Sequence, residues 1–215
     1  MIRGVVDRRS YGDPCGVARA LDAVGERWAL LVVRELLFGP KRYADLSRGL
    51  PGMSQNVLSQ RLRELEQEGI VRRRRLGPPA SIRVYELTER GQALEPVLCA
   101  LSRWGSRTVV DPTAGLSVDA LMLALKTTFD PALAGDLRVG VELRFADDRF
   151  HAEIDAGRFQ VARGPADHPD VVLDTDAATL RSVVFGGRPV TDVTGDRQAA
   201  ARFVGCFPRP TPFED

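Results

Sequence analysis

With apolar residues at 44% and charged residues at 27% of 215 positions, the composition is that of an ordinary globular protein, large enough for one big domain or two small ones. No run approaches the ~18 apolar residues of a membrane span, and the N-terminal MIRGVVDRRSYGD lacks the apolar core of a signal peptide, so a cytoplasmic protein without a membrane partner is expected. The net charge of +1 conceals an asymmetry: residues 1–110 carry +7 and the remainder −6, which suits only the first half to a polyanion.

In chain order, GVARALDAV (16–24) places Val17, Ala20, Leu21 and Val24 at helical spacing, and Gly25 interrupts it. RWALLVVRELLF (27–38) predicts a second, largely apolar helix that stops at Gly39-Pro40. A brief helical turn over 42–50 and the tight PGM connection (51–53) lead to SQNVLSQRLRELEQEG (54–69), a helix with Ser54 as N-cap and Gly69 as stop. Val57, Leu58, Leu62 and Leu65 form its apolar stripe, opposite Gln55, Asn56, Ser59, Gln60 and Arg63. IVRRRRL (70–76) and IRVYEL (82–87) read as two strands around a GPPAS loop. Thr88 caps a helix to about Arg107, in which Pro96 predicts a kink or restart, since a proline inside a straight helix costs ~3 kcal/mol. VVDPTAG (109–115) has the composition of a linker.

The second half changes rhythm. A helix over 116–129 capped by Ser117 precedes LRVGVELRF (137–145), which alternates strictly, as does RFHAEID (149–155). With RFQVAR (158–163) and DVVLDT (170–175) these predict a four-stranded antiparallel meander. Helices over 176–185 and 196–207 close the domain, giving an α+β class overall: an N-terminal winged helix-turn-helix domain over 1–110 and a C-terminal α+β domain with an antiparallel sheet over 116–215.

Short helices, a polar-faced helix after a tight turn, then a hairpin is the order of a winged helix-turn-helix. Gln, Asn and Arg can pair bidentately with base edges, so Ser54, Gln55, Asn56, Ser59, Gln60 and Arg63 are the candidate readers of double-stranded DNA. In the arginine strand successive residues face opposite sides, so Arg72 and Arg74 share one face and Arg73 and Arg75 the other. One pair, together with Arg83, is expected near phosphate; Arg74 and Arg83 are the wing candidates, and the pattern leaves open which face meets DNA.

The stretch from Cys15 to about Gly105 resembles the HxlR branch of MarR-like bacterial transcription regulators, through GERW, RELLFGPKRY, SQNVLSQRLRELEQEG, YELT and LEPVL followed by a tryptophan. The resemblance implies a homodimer built largely from terminal helices, two recognition helices in successive major grooves of a near-palindromic site, and phosphate contacts at Lys41 and Arg42. Two features depart from it: Pro78-Pro79 stand about two residues further from YELT than is usual, and the first wing strand holds more arginines. Members of this family sense oxidants or electrophiles through a cysteine at the place of Cys15, which makes Cys15 a redox candidate.

The run DVVLDTDAATLRSVVFGGRPVTDVTGDRQAAARFVGCF, with the elements before it, resembles the sterol-carrier-protein-like fold over 116–207. That implies an apolar tunnel for a small apolar or lipid-like effector, for which Phe129, Phe145, Phe150, Ile154, Phe159, Leu180, Phe185, Phe203 and Phe207 are the candidate lining. Catalysis is not expected: His151 and His168 sit apart from any ligand-spaced partner, no nucleophile elbow, P-loop or Rossmann fingerprint occurs, and neither cofactor nor metal is predicted. The expectation is a DNA-binding regulator that is no enzyme, against two alternatives: redox sensing through Cys15, or a lipid carrier whose winged helix serves protein contacts.

Overall fold

The computed structural model describes residues 10–77, 81–108 and 114–213; Pro78-Pro79 at the wing tip and most of the 109–115 linker lie outside them. The chain divides into two compact units. One runs to Leu36 and resumes from Pro40 to Leu94; the other comprises Leu37–Gly39 and the residues from Glu95 onward.

The first unit is built from α1 (Gly16–Val24), α2 (Ala29–Leu36), α3 (Tyr43–Gly49), α4 (Gln55–Gln67), β1 (Val71–Leu76), β2 (Ile82–Leu87) and α5 (Glu89–Gln92). Gly25 ends α1 as the pattern predicts, its N–H returning to the Leu21 carbonyl. Val32, Val33 and Leu36 of α2 meet Leu46, Leu58, Leu62 and Leu65 in a buried core, which anchors α3 and α4 by their apolar stripes. Ser54 caps α4, accepting from the Val57 N–H, and α4 hands the chain directly to β1 through Gly69 and Ile70. β1 and β2 pair antiparallel with Val71 opposite Leu87 and Arg75 opposite Arg83. Lys41 adds a third, single-residue rung, exchanging both main-chain hydrogen bonds with Tyr85.

The second unit holds α6 (Glu95–Gly105), α7 (Val118–Thr128), α8 (Pro131–Ala134), β3 (Val139–Arg144), β4 (Arg149–Asp155), β5 (Arg158–Arg163), β6 (Val171–Asp174), α9 (Ala177–Gly186), β7 (Val193–Gly195) and α10 (Arg197–Gly205). The helix expected from Thr88 to Arg107 is two helices. Thr88 caps the short α5, and α6 restarts with Pro96 in its first turn, where the missing N–H breaks no bond. α6 groups with the second unit because its Glu95 pairs with Lys126 and its Ser102 with Thr127, both on α7; the sequence pattern assigns the same helix to the first domain.

The four-stranded antiparallel meander requires correction. The sheet has five strands in the order β5-β4-β3-β6-β7. Three form the meander, but β6 returns beside β3 and runs parallel to it, with Val141 opposite Val171, and the short β7 then pairs antiparallel with β6. The alternation itself holds: Leu137, Val139, Val141, Leu143 and Phe145 are all buried, facing α7, α9 and α10 across a core that includes Leu121, Leu125, Phe150, Leu180 and Phe203. On the outer face Glu142 is also buried. The Arg144 guanidinium donates to it at 2.7 Å, Ala166 donates a main-chain N–H, and these hold its carboxyl below the ordinary range. The crossover loop between β5 and β6 is thereby tied to the sheet.

Candidate nucleic-acid interface

Five of the predicted readers share the exposed side of α4. Gln55 and Asn56 occupy its first turn with exposed side chains that have no partner among the described residues. Their neighbours are more occupied. Gln60 donates its amide to Glu64 at 3.0 Å, Arg63 reaches its own helix at the Ser59 carbonyl at 3.3 Å while remaining exposed, and Ser59 is half-buried. Ser54 contributes through the helix end, since its hydroxyl is the cap. The free N–H groups and dipole of that end favour an anion.

α3 is positioned over α4 by Tyr43, whose hydroxyl bonds the Gln55 carbonyl at 2.7 Å and lies 3.1 Å from Ser59 Oγ. Sequence pattern gave no sign of this residue, because a tyrosine opening a short helix has no distinctive spacing. Arg42, just before α3, is exposed in extended backbone and free to reach outward. Lys41, its expected companion, is placed otherwise: its ammonium lies 2.9 Å from Glu35 and its side chain is only 10% exposed. Glu35, fully buried, also takes the Arg34 guanidinium at 2.8 Å. The pair Glu35 and Lys41 thus ties the end of α2 to the strand rung at Tyr85.

The wing strand is two-sided, as its period of two requires. Arg72 and Arg74 both grip the buried Glu86, at 2.7 and 3.2 Å. On the other face Arg73 pairs with Glu66 at 2.9 Å and lies over the Tyr85 ring. Arg75 and Arg83 are opposite one another in the ladder, exposed, and without an acidic partner among the described residues. Arg74, a predicted wing contact, is therefore tied to an acid; Arg83 is free, and its free companion is Arg75, which the sequence reading left out of the wing pair. Counting register back from the loop would have matched it to Arg83.

In the second unit the predicted lining residues converge. Phe129 stacks on Phe159 with centroids 5.5 Å apart, and Phe207 packs edge-on to Phe159 at 5.0 Å and to Phe203 at 5.1 Å. Phe145 lies edge-on to Phe150. Phe150, Ile154, Leu180, Phe203 and Phe207 are buried core; Phe129, Phe159 and Phe185 remain partly open. Cys15 is exposed at the N-cap of α1, whereas burial pushes the thiols of Cys99 and Cys206 up. Among the described residues no group of His, Cys, Asp and Glu is arranged to hold a metal, and no helix is long and apolar enough to cross a membrane.

Residues 23–112 match the family model described as HxlR-like helix-turn-helix. The HTH-type transcriptional regulator YvaP of Bacillus subtilis is 41% identical over 96 residues, 44% of this chain and 87% of that protein. The HTH-type transcriptional regulator YodB of the same organism is 39% identical over 89 residues, 41% of this chain and 79% of that protein. A solved structure of reduced YodB from B. subtilis is 38% identical, covering 43% of this chain and 92% of that one with a TM-score of 0.39.

Proposed function

Because the chain belongs to the HxlR-like helix-turn-helix family, and is a DNA-binding transcription regulator of that type, we propose that it acts in the cytoplasm as a homodimer on a near-palindromic operator and answers to a small apolar effector held by its C-terminal unit. The observation that carries the DNA reading is the first turn of α4: Gln55 and Asn56 point outward unpartnered, with Arg63 exposed further along the helix. These are side chains that pair bidentately with adenine and guanine edges in the major groove. Arg42 and the facing pair Arg75 and Arg83 supply charge for phosphates. Two half-sites about one helical turn (~34 Å) apart are expected.

The dimer is supported by apolar side chains left in solvent at helical spacing. α1 exposes Val17 and Leu21, and α6 exposes Val97, Leu101 and Trp104, the last 63% exposed. The effector reading is supported by the aromatic cluster, in which Phe129 and Phe159 are half-buried and the remaining rings pack behind them. A ligand binding one arrangement of the dimer better than another shifts its population and so its DNA affinity. A second reading, response to oxidants or electrophiles, is favoured by the exposed thiol of Cys15; replacing Cys15 with serine abolishes the response if that reading holds.

The test is fluorescence anisotropy at physiological salt with an operator duplex and a scrambled one. Replacing Arg63 is expected to cost ~1–3 kcal/mol on the operator, and replacing Arg42 to weaken both duplexes alike. Equal affinity of the unaltered protein for the two duplexes rejects the reading. For the C-terminal unit, native mass spectrometry of the purified protein is expected to show a retained lipid-like molecule.

A further inference from the structure

Counting hydrogens at the contact between α3 and α4 constrains what Ser59 can offer. The Tyr43 hydroxyl donates to the Gln55 main-chain carbonyl at 2.7 Å, and Ser59 Oγ lies 3.1 Å from the same phenol oxygen. A phenol and a serine hydroxyl have one proton each, and a carbonyl oxygen can only accept. The Tyr43 proton goes to Gln55, so the bond between the two hydroxyls is made with the Ser59 proton. Ser59 Oγ then has lone pairs to present outward and no proton.

Ser59 follows Gln55 by one helical turn, on the side of α4 that also carries Asn56 and Gln60. A hydroxyl facing DNA ordinarily pairs with donors or acceptors alike, because it rotates to suit. While it donates to Tyr43, this one has no proton for a phosphate oxygen, for guanine O6 or N7, or for thymine O4, all of which are acceptors. The complementary groups on base edges are the exocyclic amines, adenine N6 and cytosine N4. We propose that Tyr43 is a positioning residue that makes Ser59 an acceptor-only reader, so that α4 selects adenine or cytosine at the base facing Ser59. This rests on the DNA-binding reading above and specifies part of its sequence preference.

The test is selection of binding sites from a pool of randomised duplexes, using the full-length protein, Ser59→Ala, and Tyr43→Phe. Ser59→Ala is expected to flatten the preference at one base pair per half-site, which identifies the position. There the unaltered protein prefers adenine or cytosine over guanine or thymine by about fivefold to tenfold. Tyr43→Phe keeps the ring but removes the oxygen that takes the Ser59 proton. It is expected to reduce that preference to about twofold or less while leaving the other positions as they were.

A structural role alone would lower affinity for every sequence and leave the selected pattern unchanged; that result for Tyr43→Phe overturns the proposal. So does a Ser59→Ala variant that flattens no position, or a preference for guanine or thymine at the position it flattens. If the unaltered protein enriches no sequence at all, the DNA-binding reading itself fails, an outcome distinct from the others.

Discussion

Glu35 is a fully buried carboxylate between Arg34 and Lys41, and it needs the space that a glycine leaves at position 49. A Cβ there would lie 2.2 Å from Glu35 Oε2. A flexible side chain could retreat, but this one would have to abandon two cations in a buried setting, where breaking an ion pair is strongly destabilising. Gly49→Ala is expected to lower stability by about 2 kcal/mol or more, read as a lower denaturant midpoint with unchanged slope. Asp176 offers a pH-dependent case. It caps α9, accepting from the Thr179 N–H and hydroxyl at 2.8 Å each, and these bonds hold its carboxyl below the ordinary aspartate range. A folded pKa depressed in this way stabilises the protein above the unfolded value, and that contribution is lost as pH falls through the folded value. Asp176→Ala is therefore expected to cost about 1 kcal/mol near neutrality. The gap between the variant and the parent should close in unfolding curves taken progressively further below the usual aspartate pKa.

At the scale of elements, the wing divides its arginines between structure and solvent. Like charges directly opposite in a ladder are destabilising, and Arg75 faces Arg83 with no acid beside either among the described residues. A polyanion would relieve that repulsion, whereas Arg72 and Arg74 already share the single carboxylate of Glu86. Replacing Arg75 or Arg83 with alanine is expected to leave thermal stability unchanged or raised. It should also reduce the slope of log affinity against log salt by about 1 on any duplex. Arg74→Ala should change that slope less; an equal change would place the Glu86 side of the wing on DNA. What the sequence made legible here was local. Caps at Ser54, Thr88 and Ser117 and the two faces of the arginine strand follow from neighbouring residues, and all are found. The partners of those faces were not legible. Glu86 sits across a loop, and Glu35 captures Lys41 around the Gly39-Pro40 turn, so pairing depends on register and tertiary approach. The parallel placement of β6 was hidden for a similar reason: a period of two buries one face equally well in either strand direction.

For the whole molecule, the apolar stripe on α6 is the feature that predicts assembly. Val97, Leu101 and Trp104 repeat at helical spacing in solvent, and Phe213 from the C-terminal segment lies beside Trp104, held under the Arg107 guanidinium at 4.0 Å. Leu101→Glu is expected to convert a dimer to a monomer in sedimentation experiments. Affinity for a two-half-site operator should fall at least tenfold, with that for a single half-site little changed. The sheet of the second unit bears on the same question from the opposite direction. One edge, β7, is three residues long, and at its Gly195 a side chain would collide with the Asp170 carbonyl at 2.2 Å. The other edge, β5, begins and ends in arginine. A stub too short to template a further strand, and an opposite edge that opens on the exposed Arg158 and closes on Arg163 paired with Asp119 and Asp148, both discourage copies from zipping together edge to edge. Open-ended sheet growth, which aggregates, is thereby disfavoured, and the proposed dimer would use helix surfaces, which can close after two chains.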